Sequence, residues 1–341
     1  MPEAGRLMES EMAEQPARLA ALLSRREKIA EQVRAVMPAD LAGTVLVARG
    51  SSDHAATCGS YFIELATGRP VASTSPSLFT LYGARTDFRG YLMVAVSQSG
   101  KTPEIVEVVE RARGLGARAI AITNDADSPL ASAADIVVAL EAGTERAVPA
   151  TKTVTAQLVS FALIAQAVGD LGLDERAAGE LPAQVAEVLA DVSPPNALAE
   201  WLADADRFVT VARGFLYGAA QEVALKIEET TSKFTAAFSA ADLRHGPIAI
   251  AANAPPVLVF AHPGPASDDV AAVVAELKLR GASPRIAGPV PGTAMSWAET
   301  APEVLAPVLA VVRGQQLALA LARRLGYDPD APPGLNKVTL T

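Results

Sequence analysis

Val94-Ala-Val-Ser-Gln-Ser-Gly-Lys-Thr102, continued by Pro103-Glu-Ile-Val106, decides how the rest of the chain is read. Leu92 to Val96 is a short apolar run rich in branched residues, the pattern of a strand covered on both faces. Pro103 suits the first position of a helix, with Thr102 as N-cap and Glu104 and Glu107 in the first turn. Ile105, Val108, Val109 and Ala112 recur at helical spacing, and Gly114 and Gly116 end the element. Ser97, Gln98, Ser99, Gly100 and Thr102 therefore form a tight hydroxyl-rich loop at the carboxyl end of a strand, against a helix N-terminus. Main-chain N–H groups and the positive end of the helix dipole favour an anion there. A polar strand-to-helix turn is the bland alternative. The S-x-S-G-x-T spacing, with a strand before it and a capped helix after it, favours a phosphate cradle.

Upstream, Thr44 to Ala48 reads as a strand that runs into Arg49-Gly50-Ser51-Ser52-Asp53, with a helix following to about Thr67. Two strand–turn–helix units of this kind place neighbouring strand ends on one crevice, where doubly wound sheets bind ligands. His54 and Cys58 share a face of that helix, a pattern that fits packing better than a metal pair. Residues 9–36 read as one long amphipathic helix, its apolar face carrying Met12, Leu19, Leu22, Ile29 and Val33, with Pro16 as a kink or the true start. Downstream, Ala119–Thr123 and Ile136–Leu140 read as strands, and a long apolar helix follows from about Thr153 to Val168. Alternation of strands and helices over residues 44–168 indicates a parallel sheet with right-handed crossovers. Gly169 to Pro195 reads as a charged helical connector closed by Pro194-Pro195.

The second half repeats the first. Val47-Ala-Arg-Gly50 recurs as Val211-Ala-Arg-Gly214, 164 positions on, and Leu115-Gly116-Ala117 as Arg280-Gly281-Ala282, 165 positions on. Near-constant offsets across strand, turn and helix indicate two copies of one α/β domain. Pro256–Ala261 stands where the strand of the serine loop stands, but its loop, His262-Pro-Gly-Pro-Ala-Ser267, lacks the hydroxyl spacing.

The length of 341 residues suits about two domains. No uninterrupted apolar run reaches the roughly 18 residues that span a bilayer, and Met1–Glu14 lacks the apolar core of a signal peptide. One cysteine among 341 residues excludes an internal disulfide framework and suits a reducing cytoplasm. A formal charge of −9 without a basic stripe argues against nucleic acid. Three scattered histidines give no metal spacing.

Three further stretches bear on chemistry. Glu222, Lys226 and Glu229 fall on one stripe of a helix from about Tyr217 to Thr230, read either as a solvated face or as a general base with a lysine beside it. His245 stands in Arg244-His-Gly-Pro247, a forced turn, with the near-neutral pKa that suits proton transfer. The tail Ala331-Pro-Pro-Gly-Leu-Asn-Lys337 and beyond is non-helical; it frays, or it folds back so that Lys337 acts as an amine.

Taken in order, Ser97-Gln-Ser-Gly-Lys-Thr102, Glu141-Ala-Gly-Thr-Glu145, Val148-Pro-Ala-Thr-Lys152, Ala224-Leu-Lys-Ile-Glu-Glu229, Leu243-Arg-His-Gly-Pro247 and Leu335-Asn-Lys-Val-Thr339 resemble a pair of sugar isomerase (SIS) domains. More closely, the chain resembles the isomerase half of glucosamine-6-phosphate synthase and the related stand-alone aminosugar-phosphate deaminases and isomerases. Glu11-Met-Ala-Glu-Gln-Pro16 resembles the segment that opens that half.

The resemblance implies an α/β fold of two tandem three-layer αβα domains with parallel, flavodoxin-like doubly wound sheets. Expected boundaries are a helical segment at 1–40, a first domain at 41–170 with the phosphate loop, a connector at 171–200, a second domain at 201–330 and a tail at 331–341 folding into the site. It further implies that Ser97, Gln98, Ser99 and Thr102 hold a sugar phosphate, while Gly50, Ser51, Ser52 and the Val148–Ala150 segment line the sugar, with Glu222 in the same binding set. Glu229 would carry the proton between C1 and C2, with Lys226 near the ring-opening machinery. His245 would assist ring opening from the neighbouring subunit of a homodimer with shared sites, and Lys337 would engage the open-chain carbonyl. No cofactor or metal is implied.

Aldose–ketose interchange needs exactly such parts in chemical terms: an opened ring, a proton carried through an enediol or enolamine, and a base whose pKa is tuned upward. The anchored phosphate holds a flexible chain against the base. Three positions depart from the synthase pattern: Ala150 for a serine, Glu228 for a lysine and Ala236 for a glutamate. No cysteine follows Met1, so glutamine cleavage is not expected of this chain. The expected activity is conversion of glucosamine 6-phosphate to fructose 6-phosphate and ammonia. Alternatives are another phosphosugar isomerase, a fructosamine-type deglycase, ammonia-dependent synthesis of glucosamine 6-phosphate, or a non-catalytic sugar-phosphate sensor.

Overall fold

Strand order positions everything else in this protein. In the computed structural model, which describes residues 4–337, the chain forms two compact units. The amino unit comprises Ala17–Glu145 and Lys152–Gly179 among the described residues; the carboxy unit comprises the residues up to Pro16, Arg146–Thr151 and Glu180–Lys337.

In the amino unit five strands, β1 (Gly43–Val47), β2 (Val71–Ser73), β3 (Tyr91–Val96), β4 (Arg118–Thr123) and β5 (Ile136–Ala139), pair in the order β2-β1-β3-β4-β5. All four pairings are parallel, with Val45 opposite Met93 and Val94 opposite Ile120. That is the flavodoxin-like order, with its switch point between β1 and β3. Val45, Val47, Met93, Ala95, Ala119 and Ala121 share one face, packed on Ile105, Val108, Val109 and Ala112 of the Pro103–Gly114 helix. Leu46, Leu92, Val94, Val96, Ile120 and Ile122, one step out of phase, are fully buried on the other face. Burial on both faces is why these strands read as continuous apolar runs.

The carboxy unit repeats the plan with β6 (Arg207–Ala212), β7 (Phe234–Ser239), β8 (Val257–Phe260) and β9 (Arg285–Ala287), ordered β7-β6-β8-β9 and parallel throughout. A fifth strand is reduced to a single parallel bridge between Ala287 and Met295. Its core joins Val209, Val211, Val257 and Val259 to Val270, Val273, Val274 and Leu277 of the Ser267–Leu279 helix.

Two sequence expectations change. The long amino-terminal helix is three helices, Arg6–Ala13, Gln15–Ser24 and Arg26–Val36. Pro16 sits in the first turn of the second, where its missing N–H costs nothing. The second break falls at Arg25, whose guanidinium binds Glu141 Oε1 at 2.7 Å and the Ala139 carbonyl at 2.8 Å. Met12, Leu19, Leu22, Ile29 and Val33 are buried as the periodicity requires. Pro194-Pro195 opens the Ser193–Leu202 helix rather than closing the connector.

The Glu303–Leu325 segment is long and apolar enough by composition to cross a membrane, yet it is almost wholly buried inside the fold. Its Arg313 donates to the carbonyls of Ser296 (2.6 Å), Val188 (3.1 Å) and Asp191 (2.6 Å). A core helix whose buried Arg313 is satisfied by main-chain oxygens accounts for the composition.

Candidate active site

β1 and β3 are neighbours, so the turns that leave their carboxyl ends meet at the switch point of the amino unit. Gly50 and the first turn of the Ser51–Thr67 helix follow β1; Ser97–Thr102 follows β3. Arg49 binds Glu104 Oε2 at 2.7 Å and so ties the first turn to the helix that follows the second.

The serine loop is internally ordered. Ser97 Oγ accepts the Gly100 N–H at 3.2 Å and lies 3.5 Å from Thr102 Oγ1; Ser99 Oγ accepts the Lys101 N–H at 3.3 Å. Thr102 holds the cap position with extended backbone, yet its hydroxyl caps nothing and Pro103 follows at the head of the helix. First-turn N–H groups are thus not used up by a capping side chain, as an anion site requires. Gln98 and Ser99 are half-exposed, while Ser97 is buried.

Gly100 has φ +63°, and a Cβ there would lie 2.1 Å from Ser128 Oγ and 2.5 Å from Ser128 Cβ. Gly100→Ala is therefore expected to lower stability by roughly 1–3 kcal/mol, from a left-handed backbone and an overpacked contact. Denaturant melts of both proteins check this; equal midpoints would contradict it.

Ser52 is buried, and its Oγ accepts from Gln157 Nε2 at 3.0 Å. Gln157 is 1% exposed, and its Oε1 has no hydrogen-bond donor among the described residues. A buried acceptor left in that state costs about 1–3 kcal/mol. Glu145 accepts from Thr153 N at 3.1 Å and Thr153 Oγ1 at 2.7 Å, a carboxylate at the head of the Lys152–Val168 helix.

In the carboxy unit, Val148 and Ala150 are half-buried on a segment held from beneath. Glu11 accepts the N–H groups of Arg146 (2.5 Å) and Ala147 (3.2 Å). Gln15 Nε2 donates to Gln315 Oε1 at 3.0 Å, and Gln315 Nε2 to the Thr151 carbonyl at 3.1 Å. The Glu11–Pro16 motif thus positions the 146–151 backbone. Its residue types gave no sign of that, because the partners are main-chain groups some 135 positions away.

The Tyr217–Thr231 helix packs along the Ala306–Leu325 helix, and this decides the two readings of its charged stripe. Glu222 and Lys226 are 1% exposed and Glu229 is 22% exposed on its side chain. Lys226 Nζ is 3.4 Å from Glu222 Oε1 and hydrogen-bonds Glu229 Oε2. The stripe is not a solvated face. Burial by itself drives the ammonium to give up its proton, but the Glu222 and Glu229 carboxylates outweigh it and hold the Lys226 pKa above the ordinary lysine value. Such a cluster keeps a charged donor fixed beside a partly exposed carboxylate, the arrangement proton transfer asks for.

His245 is exposed at the end of the Ala240–Arg244 helix, its N–H on the Asp242 carbonyl at 3.0 Å. Lys337 is half-buried at the end of the described chain. Cys58, the single cysteine of the sequence, is buried in mid-helix. Among the described residues no group of three or more His, Cys, Asp or Glu side chains is placed to hold a metal.

The SIS domain profile matches residues 44–167 and 201–287. A glutamine–fructose-6-phosphate aminotransferase (isomerizing) of Gloeobacter violaceus is 33% identical over 318 residues, covering 88% of this chain and 52% of that protein. One from Mycolicibacterium paratuberculosis is 34% identical over 313 residues, covering 86% and 50%. The chain spans about half the length of the curated relatives it matches. A crystal structure from Silicibacter pomeroyi, provisionally named a phosphosugar isomerase, superposes with TM-score 0.86 at 32% identity, covering 95% of this chain and 99% of that one. Glucosamine-6-phosphate deaminase of Thermotoga maritima shares the fold, with TM-score 0.80 at 22% identity over 98% and 100% of the two chains. With a doubly wound parallel sheet in each unit, a serine loop at the first switch point and this match over both halves, the chain belongs to the SIS domain family.

Proposed function

We propose that the protein is a phosphosugar isomerase acting on an aminosugar, converting glucosamine 6-phosphate and water to fructose 6-phosphate and ammonia. The observation that carries this reading is the ordered Ser97–Thr102 loop at the β1/β3 switch point, with its cap hydroxyl not bonded to the helix and a helix N-terminus behind it. A doubly negative ester suits that loop, with Ser97, Gln98, Ser99 and Thr102 as its ligands. Gly50, Ser51, Ser52, Val148, Ala150 and Glu222 complete the binding set. Glu229 carries the proton between C1 and C2, with the Lys226 ammonium beside it. His245 assists ring opening from the neighbouring subunit of a homodimer, which fits its exposed position, and Lys337 engages the open-chain carbonyl.

Relatives named as isomerizing aminotransferases act on fructose 6-phosphate by their names, and the reading takes the same sugar phosphate for this chain. The purified protein incubated with glucosamine 6-phosphate is expected to release ammonium and fructose 6-phosphate in equal amounts. Formation of glucosamine 6-phosphate from fructose 6-phosphate and ammonium, with no release in the forward assay, would reverse the direction; no conversion of any hexose or hexosamine 6-phosphate would defeat the reading.

A further inference from the structure

We propose that Gln157, a residue outside every motif above, is a positioning residue that fixes the Ser52 hydroxyl as a hydrogen-bond donor to an oxygen of the bound sugar phosphate. The inference rests on the reading that Ser52 lines the sugar.

Two helices of the amino unit, Ser51–Thr67 and Lys152–Val168, run side by side in the same direction. Their register is fixed at two further levels. A Cβ on Gly59 would lie 2.2 Å from Phe161 Cδ1, so only glycine permits this approach, and Asp170 N–H reaches the Ala66 carbonyl at 3.3 Å. Gln157 is thereby held opposite Ser52, with Nε2 to Oγ at 3.0 Å and both side chains buried.

A serine hydroxyl has one proton to give and accepts through its oxygen. Once the Gln157 amide donates to that oxygen, the Ser52 proton is directed elsewhere, and among the described residues no other hydrogen bond uses it. The turn after β1 therefore presents a donor, which pairs with a carbonyl or hydroxyl oxygen. The Oε1 of Gln157 meanwhile lacks a donor, so a purely structural role would be served better by an apolar side chain of the same size. The effect on Ser52 gives the amide at this buried position a reason.

Two substitutions separate these roles. Gln157→Met keeps the volume and removes both amide groups, so the fold is retained. Gln157→Glu presents an ionised carboxylate that can only accept, which turns the Ser52 proton toward itself. Calorimetric titration with fructose 6-phosphate and with inorganic phosphate gives the readout. Both variants are expected to bind fructose 6-phosphate about tenfold more weakly, the weight of one hydrogen bond, with phosphate affinity unchanged because the serine loop is untouched. In Gln157→Glu, affinity recovers as the pH is lowered and the new carboxyl takes up a proton it can donate.

Wild-type sugar-phosphate affinity in folded variants overturns the proposal, as does an equal loss of affinity for inorganic phosphate. Gln157→Met alone decides if the carboxylate variant does not fold. Wild-type binding without turnover removes the enzyme reading and leaves this inference testable; a wild type that binds no sugar phosphate overturns both.

Discussion

Glu229→Gln is expected to lower turnover of a hexosamine phosphate by about 10²–10⁴-fold, the contribution of a positioned base, while the protein stays folded. The amide keeps the size of the carboxylate and removes its ability to take a proton. Structural damage is limited because Lys226 retains its second partner, Glu222, at 3.4 Å. What is lost is one hydrogen bond between charged groups on a side chain that is already 22% exposed, roughly 1.5–3 kcal/mol. The informative comparison is kcat against KM. A base that acts only in the transition state lowers kcat and leaves substrate affinity near wild type. A folded variant retaining more than about a tenth of wild-type kcat would take Glu229 out of its role.

Lys226→Met has the larger expected effect on stability. It leaves Glu222, 1% exposed, and Glu229 without their shared ammonium. Breaking a buried ion pair by removing one partner costs about 3–5 kcal/mol, because the remaining charge stays desolvated. Adding Glu222→Gln to this variant is expected to return part of the loss, since it removes the stranded charge.

The pH dependence has a definite sign. The folded-state pKa of Lys226 is raised above its unfolded value, ordinarily 10.5. Its contribution is therefore fully present below 10.5 and fades as the pH climbs through the higher folded value. Wild type should lose stability on that alkaline side more steeply than Lys226→Met, which has no such proton to lose. Parallel thermal melts from neutral to strongly alkaline pH test this, and superimposable slopes would contradict it.

How much of this was legible beforehand differs by residue. The 97–102 loop was, because each of its signals is local: branched residues before it, proline at the head of the helix, glycine where the backbone turns left-handed. The repeat was legible for the same reason, although the second copy keeps only a bridge where the first has β5. β2 and β7 were not anticipated; the first is three residues long and the second is alanine-rich, so neither shows a strand pattern of its own. The roles of Gln157 and of the Glu11–Gln15 pair were not legible, because they lie in contacts more than 100 positions distant.

The amino-acid order alone determined the central apolar strands, the turns that leave them, and which turn can hold an anion, since those follow from dihedral preference, capping and hydrophobic period over a few residues. Whether Glu222, Lys226 and Glu229 face water or a packed interior was beyond it. A charged stripe looks the same in either case, and only the helix lying against it removes the water. That burial turns three ordinary surface residue types into a mutually dependent ion cluster, and it is set by how the helices stack.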